Sequence, residues 1–183
     1  VKRIGCFHAH YSNIEPIDGA LGAYDVEWIH FVDPGLDRIK NDAGFTAETA
    51  EAKVLETLDW IAKCHVDAML VTCTFFTAII DEDAHRFPVP VIKIDDPLFR
   101  EIAASSQPTV LVFTNPATVE GTMRQLGRFL ATEGKTPRVE SYLLPGTFEL
   151  IMQGRKETYL DEVYAGLQQV VQNRPGANVA AAQ

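Results

Sequence analysis

Cys73 closes the stretch Leu70-Val71-Thr72-Cys73-Thr74-Phe75-Phe76, where a buried apolar run gives way to threonines and the start of a helix. The chemistry available at such a position is thiolate chemistry. The unpaired N–H groups of a helix's first turn, with its positive dipole end, stabilise a sulfur anion and hold a carboxylate equally well. A thiolate beside a carboxylate pocket suits removal of a proton next to a carboxyl group. Cys73 is therefore expected to be a reagent with a lowered pKa, and Thr74 to belong to the pocket. Cys6, inside an apolar strand, and Cys64, closing the apolar stripe of a helix, read as structural thiols.

His8 ends the first strand and His10 follows it; by spacing alone His8 fits a hydrogen-bonded structural residue better than a base or ligand. His30, within an apolar strand, and His65, at a helix end, are without metal-ligand company and read as structural. Thr114-Asn115-Pro116 opens the second half of the chain where His8 stands in the first. Hydroxyl and amide groups there either bind a substrate carboxylate or cap a helix, and both readings stay open. Asp81-Glu82-Asp83 reads as a solvated turn, and Asp95-Asp96 before Pro97 as a linker turn or cap. Three cysteines without CxxC spacing give neither a zinc site nor a disulfide framework, so no metal is expected. Nor is there a Gly-rich phosphate loop, a Walker lysine or a GxSxG elbow, so no cofactor is expected.

The elements that must position these groups follow from hydropathy. Short apolar runs alternate with helical patterns over the whole length, which is the mark of parallel α/β architecture. The runs are IGCFH, VEWIHFV, AMLVTC, VPVIKI, TVLVF, RVESYLL and ANVAAAQ. Between them, Val54, Leu58 and Ile61 form one helical stripe, Val119, Met123, Leu126 and Leu130 a second, and Leu160, Val163, Tyr164, Leu167 and Val171 a third.

The halves echo each other in order. IGCFHAHYSNIEPI is answered by VLVFTNPATVEGT, EWIHFVDPGLDRI by VESYLLPGTFELI, and VDAMLVTC by GANVAAAQ. The expected fold is thus α/β, with two similar parallel-sheet half-domains, residues 1–96 and 97–183, and a cleft between them at the strand ends.

Composition narrows the partners. With 183 residues, 46% of them hydrophobic and 22% charged, the chain can bury a sizeable core. A net charge of −9 and the lack of any Lys/Arg run argue against nucleic acid. No apolar run approaches the ~20 residues that cross a bilayer, and VKRIGCFHAH lacks the features of a signal peptide, so a cytoplasmic protein without membrane partners is expected. A homo-oligomer is compatible with all of this.

The duplicated pattern, with a strand-end Cys-Thr preceded by VDAMLVT and followed by PVPVIKIDDP, resembles the aspartate/glutamate racemase superfamily. The likeness runs through HAHYSNIEPI, AGFTAETAEAKVLETLDWIAKCHVDAMLVTCTFF, VFTNPATVEGT and GANVAAAQ. It implies cofactor-independent chemistry at the α-carbon of a small carboxylate, with one cysteine per half acting on opposite faces of the substrate. Cys73 matches the first cysteine. The repeat puts Gln183 at the second position, and a carboxamide exchanges no proton near neutral pH. The resemblance thereby implies a one-sided enzyme: Cys73 as general acid/base or nucleophile, Thr74, Thr114, Asn115 and Thr118 as carboxylate contacts, His8 at the cleft mouth or assisting proton transfer, and Gln183 facing the substrate. Isomerisation, decarboxylation with protonation on one face, and racemisation through another acid all fit. The rival reading is a carboxylate-binding protein that kept the fold without the chemistry. The family pattern continues with a further helix-forming stretch beyond Gln183.

Overall fold

The structure is a computed structural model and describes residues 1–40, 42–81 and 84–182. The chain divides into two compact units, Val1–Asp96 and Pro97–Gln183.

The first unit runs β1 (Lys2–His8), α1 (Ile14–Leu21), β2 (Val26–Val32), α2 (Gly35–Ile39), α3 (Ala47–Ala62), β3 (Ala68–Val71), α4 (Thr74–Ile79) and β4 (Val91–Lys93). Its four strands are all parallel, in the order β2-β1-β3-β4. The β1–β2 register sets Cys6 beside His30 and His8 beside Val32. Strand alternation then gives the sheet two faces. Phe7, Met69 and Val71 pack against Val54, Leu58 and Ile61 of α3 and Phe76 of α4, while Cys6 and Leu70 pack under Ile17 of α1. The α3 stripe is wholly buried, and each such side chain contributes about 1.5–3 kcal/mol. Thr46 caps α3 by accepting from the Thr49 N–H at 3.2 Å, and His65, at φ 58°, turns the chain left-handed beyond the helix's end.

The second unit runs α5 (Asp96–Ala104), β5 (Thr109–Phe113), α6 (Pro116–Thr132), β6 (Val139–Leu143), α7 (Thr147–Met152), α8 (Lys156–Asn173) and β7 (Asn178–Ala181). Its three strands are again parallel, in the order β6-β5-β7. All five residues of β5 are buried, which explains its unbroken apolar run. Phe99, Ile102, Leu126 and Leu130 cover one face, and Leu144 and Val170 the other.

Both units place their first strand centrally, with the second on one side and the third on the other. Each also follows its second strand with a Pro-Gly pair at the start of a short helix, Pro34 capping α2, which opens on Gly35, and Gly146 capping α7 after Pro145. Gly146 needs its lack of a side chain, since it caps α7 at φ 75°.

Two expectations are corrected. The run AMLVTC forms a strand only as far as Val71, so Cys73 stands beyond the ladder. The third helical stripe is right in Val163 and Leu167 and wrong in the rest: α8 packs inward through Val163, Leu167 and Val170, whereas Leu160, Tyr164 and Val171 are exposed. The two alternatives lie about one residue apart around the helix, and hydropathy alone does not separate them.

Candidate active site

Cys73 is the N-cap of α4, with extended backbone (φ −102°, ψ 117°), and its carbonyl accepts from the Thr77 N–H at 2.9 Å. The thiol is half-buried against the α3–α4 side of the sheet. Burial is the largest influence on it and pushes its pKa up to about 11; the N–H groups of Phe76 and Phe75 draw it down by less, Asp37 raises it and Lys40 lowers it. The expectation of a lowered pKa is thus overturned. The helix donors are in place, but the sulfur makes no capping hydrogen bond and desolvation outweighs them.

Asp95, expected in a linker turn or cap, belongs instead to the surroundings of Cys73. It is buried, and its two carboxylate oxygens accept from the hydroxyls of Thr77 at 2.9 Å and Thr74 at 3.4 Å. Burial raises its pKa above the usual carboxylate value, and the two hydroxyls pull the other way. Asp95 therefore ties the chain after β4 to the first turn of α4, directly after Cys73. Thr74, assigned above to a substrate carboxylate, already donates its hydroxyl to this internal one.

His8 is wholly buried. Its Nδ1 lies 2.7 Å from Thr72 Oγ1 and its Nε2 lies 2.8 Å from His30 Nδ1. His30 Nε2 in turn lies 3.0 Å from Oδ1 of the exposed Asp18. Thr72 Oγ1 also reaches the Phe7 carbonyl at 3.2 Å and accepts from Asn13 Nδ2 at 3.4 Å. Burial first, then the neighbouring His30, holds the His8 pKa down to about 4, so the ring is neutral at physiological pH. Both ring nitrogens are engaged in hydrogen bonds within the first unit. The reading of His30 as without ligand company is also corrected: Cys6 Sγ and one ring nitrogen each of His8 and His30 all lie within 4.8 Å of one another. The period-2 pattern of CFH and WIH gave a signal for this, because consecutive strands usually pair.

In the second unit, Thr114 is buried just beyond β5. Asn115 is the N-cap of α6, its Oδ1 accepting from the Ala117 N–H at 3.0 Å, with Pro116 next in the helix. The Thr118 hydroxyl donates to the Asn115 carbonyl at 2.9 Å. Of the two open readings, the structure shows the cap. Gln183 lies outside the described residues. A groove of about 290 Å³ in this unit is lined by Glu101, Ser105, Thr109 and Asn178, at the opposite ends of the strands from Thr114 and Asn115.

Two all-parallel units built on the same strand order give the chain the fold of the aspartate/glutamate racemases. Aspartate racemase from Picrophilus torridus is similar over 95% of this chain and 78% of its own, with TM-score 0.69 and 9% identity. The glutamate racemase isoform RacE1 of Bacillus anthracis is similar over 98% and 76%, with TM-score 0.64 and 13% identity. Glutamate racemase from Francisella tularensis, in complex with D-glutamate, gives TM-score 0.58 and 19% identity over 84% of this chain, which spans 57% of that protein's length. No family model and no curated protein matches the chain.

Proposed function

We propose that this chain is an isomerase of the racemase type, acting without a cofactor at the α-carbon of a small carboxylate, with Cys73 as a one-sided acid/base. The observation that carries this is the position of Cys73: a half-buried thiol at the N-cap of α4, just past an interior strand of a racemase-type fold. Its sulfur takes the α-proton as a thiolate and returns a solvent-derived proton to the same face. Inversion requires a donor on the other face. Burial makes the thiolate rare at neutral pH but also more basic, which favours attack on a weakly acidic C–H once it forms. Carboxylate recognition is assigned to backbone N–H donors, because the hydroxyls of Thr74 and Thr118 are already engaged.

The test is α-proton exchange in heavy water with aspartate, glutamate and hydantoins as candidates. Exchange that Cys73→Ser abolishes supports the proposal, and exchange surviving in that variant defeats it. A second reading, a carboxylate-binding protein without turnover, is favoured by the high thiol pKa. Dicarboxylates that raise the melting temperature without any exchange would select it.

A further inference from the structure

On the α1 face of the first sheet, away from the side on which Cys73 packs, three donors of metal-ligating type converge. Cys6 and His8 are two residues apart on β1 and so project to one face, and the parallel register brings His30 of β2 beside Cys6. We propose that Cys6 Sγ, His8 Nε2 and His30 Nδ1 form a binding site for a zinc-class divalent cation, separate from the candidate active site.

Metal–donor bonds of ~2.0–2.3 Å put neighbouring donors of a tetrahedral site about 3.3–3.8 Å apart. The donors lie around that range: His8 Nε2 and His30 Nδ1 are 2.8 Å apart, and Cys6 Sγ and a ring nitrogen of each histidine lie within 4.8 Å of one another. The rings part slightly and the sulfur closes in. A thiolate with two imidazoles is the donor set of a borderline-soft ion and excludes magnesium or calcium, which take oxygen.

The groups around the ligands are those a metal site requires. A ligating histidine places its second ring nitrogen on an oxygen that fixes its tautomer. His8 does so with Thr72 Oγ1 at 2.7 Å, and His30 with Asp18 Oδ1 at 3.0 Å. The protons balance. The ion replaces the proton between the rings, which moves to His8 Nδ1 and is donated to Thr72, whose own proton turns to the Phe7 carbonyl. His30 keeps its proton on Nε2, donated to Asp18, and Cys6 releases its thiol proton to solvent. Charge balances as well: the thiolate and the Asp18 carboxylate together offset a dication. His30 is partly exposed and Asp18 largely so, which provides a way in from that side.

Cobalt(II) titrated into the chelator-washed full chain tests this. The expected result is one cobalt per chain, a thiolate-to-cobalt charge-transfer band, and visible bands of tetrahedral intensity. Cys6→Ser should lose the charge-transfer band, while Cys73→Ser and Cys64→Ser retain it. Asp18→Asn, a change at an exposed carboxylate that leaves the core intact, should weaken cobalt affinity about 10–100-fold. Folding of each variant is checked by its melting curve. A wild-type chain that melts cooperatively yet gives no saturable band overturns the proposal, as does a band that survives Cys6→Ser, one lost in Cys73→Ser, or an Asp18→Asn affinity equal to wild type. None of these readouts depends on the proposed isomerase activity.

Discussion

Alkylation of Cys73 by iodoacetamide across pH reads the balance between burial and the α4 N–H groups. With the thiol pushed from 9.0 to about 11, the reactive thiolate at pH 8 falls from ~10% to ~0.1%, roughly a hundredfold loss. The rate should climb about tenfold per pH unit and level off only near 11, provided the fold persists. Steric access scales the rate equally at every pH, so the slope reports ionisation alone. Mass spectrometry of the Cys73 peptide after quenching gives the profile, and the half-exposed Cys64 is an internal comparison in the same sample. A plateau below about pH 9 would show that the helix donors outweigh desolvation and would refute the reasoning. The same shift acts on stability. Because the folded chain holds this proton more tightly than the unfolded one, the contribution is full below 9.0 and lost as pH rises through about 11. Cys73→Ser should therefore lessen the alkaline loss of stability seen by denaturant titration.

Asp95→Ala, which removes the acceptor shared by Thr77 and Thr74 while the Thr77 hydroxyl keeps the Thr74 carbonyl at 3.1 Å, should cost about 0.5–1.5 kcal/mol in urea unfolding. The raised Asp95 pKa means that its ionisation works against folding: its contribution is full below 3.8 and declines as pH rises, so Asp95→Asn should flatten that part of the stability–pH curve. A Cβ on Gly5 would lie 2.6 Å from Ile61 Cγ2, on the stiff branch of a β-branched side chain, so Gly5→Ala should destabilise by about 1–3 kcal/mol and lower the melting temperature. Asn115→Ala removes the α6 cap and should cost about 1 kcal/mol, whereas Asn115→Asp keeps a capping oxygen and should restore most of it; equal losses in both variants would argue against the cap.

Local pattern carried much of the architecture. The runs VEWIHFV and TVLVF are strands at the bounds their composition marks, and the Val54, Leu58 and Ile61 stripe is the buried face of α3. A break from apolar residues to Cys-Thr was enough to set Cys73 at the start of a helix. These features depend on residues a few positions apart, whose side-chain directions follow from the helical and strand periods. The exposed half of the α8 stripe shows where that stops, because periodicity defines a stripe but only the covering layer decides which part is buried.

What tertiary structure alone decided is which distant residues meet. Asp95 and Thr77 are 18 positions apart, and their contact depends on β4 lying beside β3 with the chain after it returning to α4. His8 and His30 are 22 apart, joined by a register in which a slip of one residue would send His30 to the opposite face. The pKa of Cys73 is likewise set by the core packed around the sulfur, because desolvation is a property of everything nearby and not of the residues next in sequence.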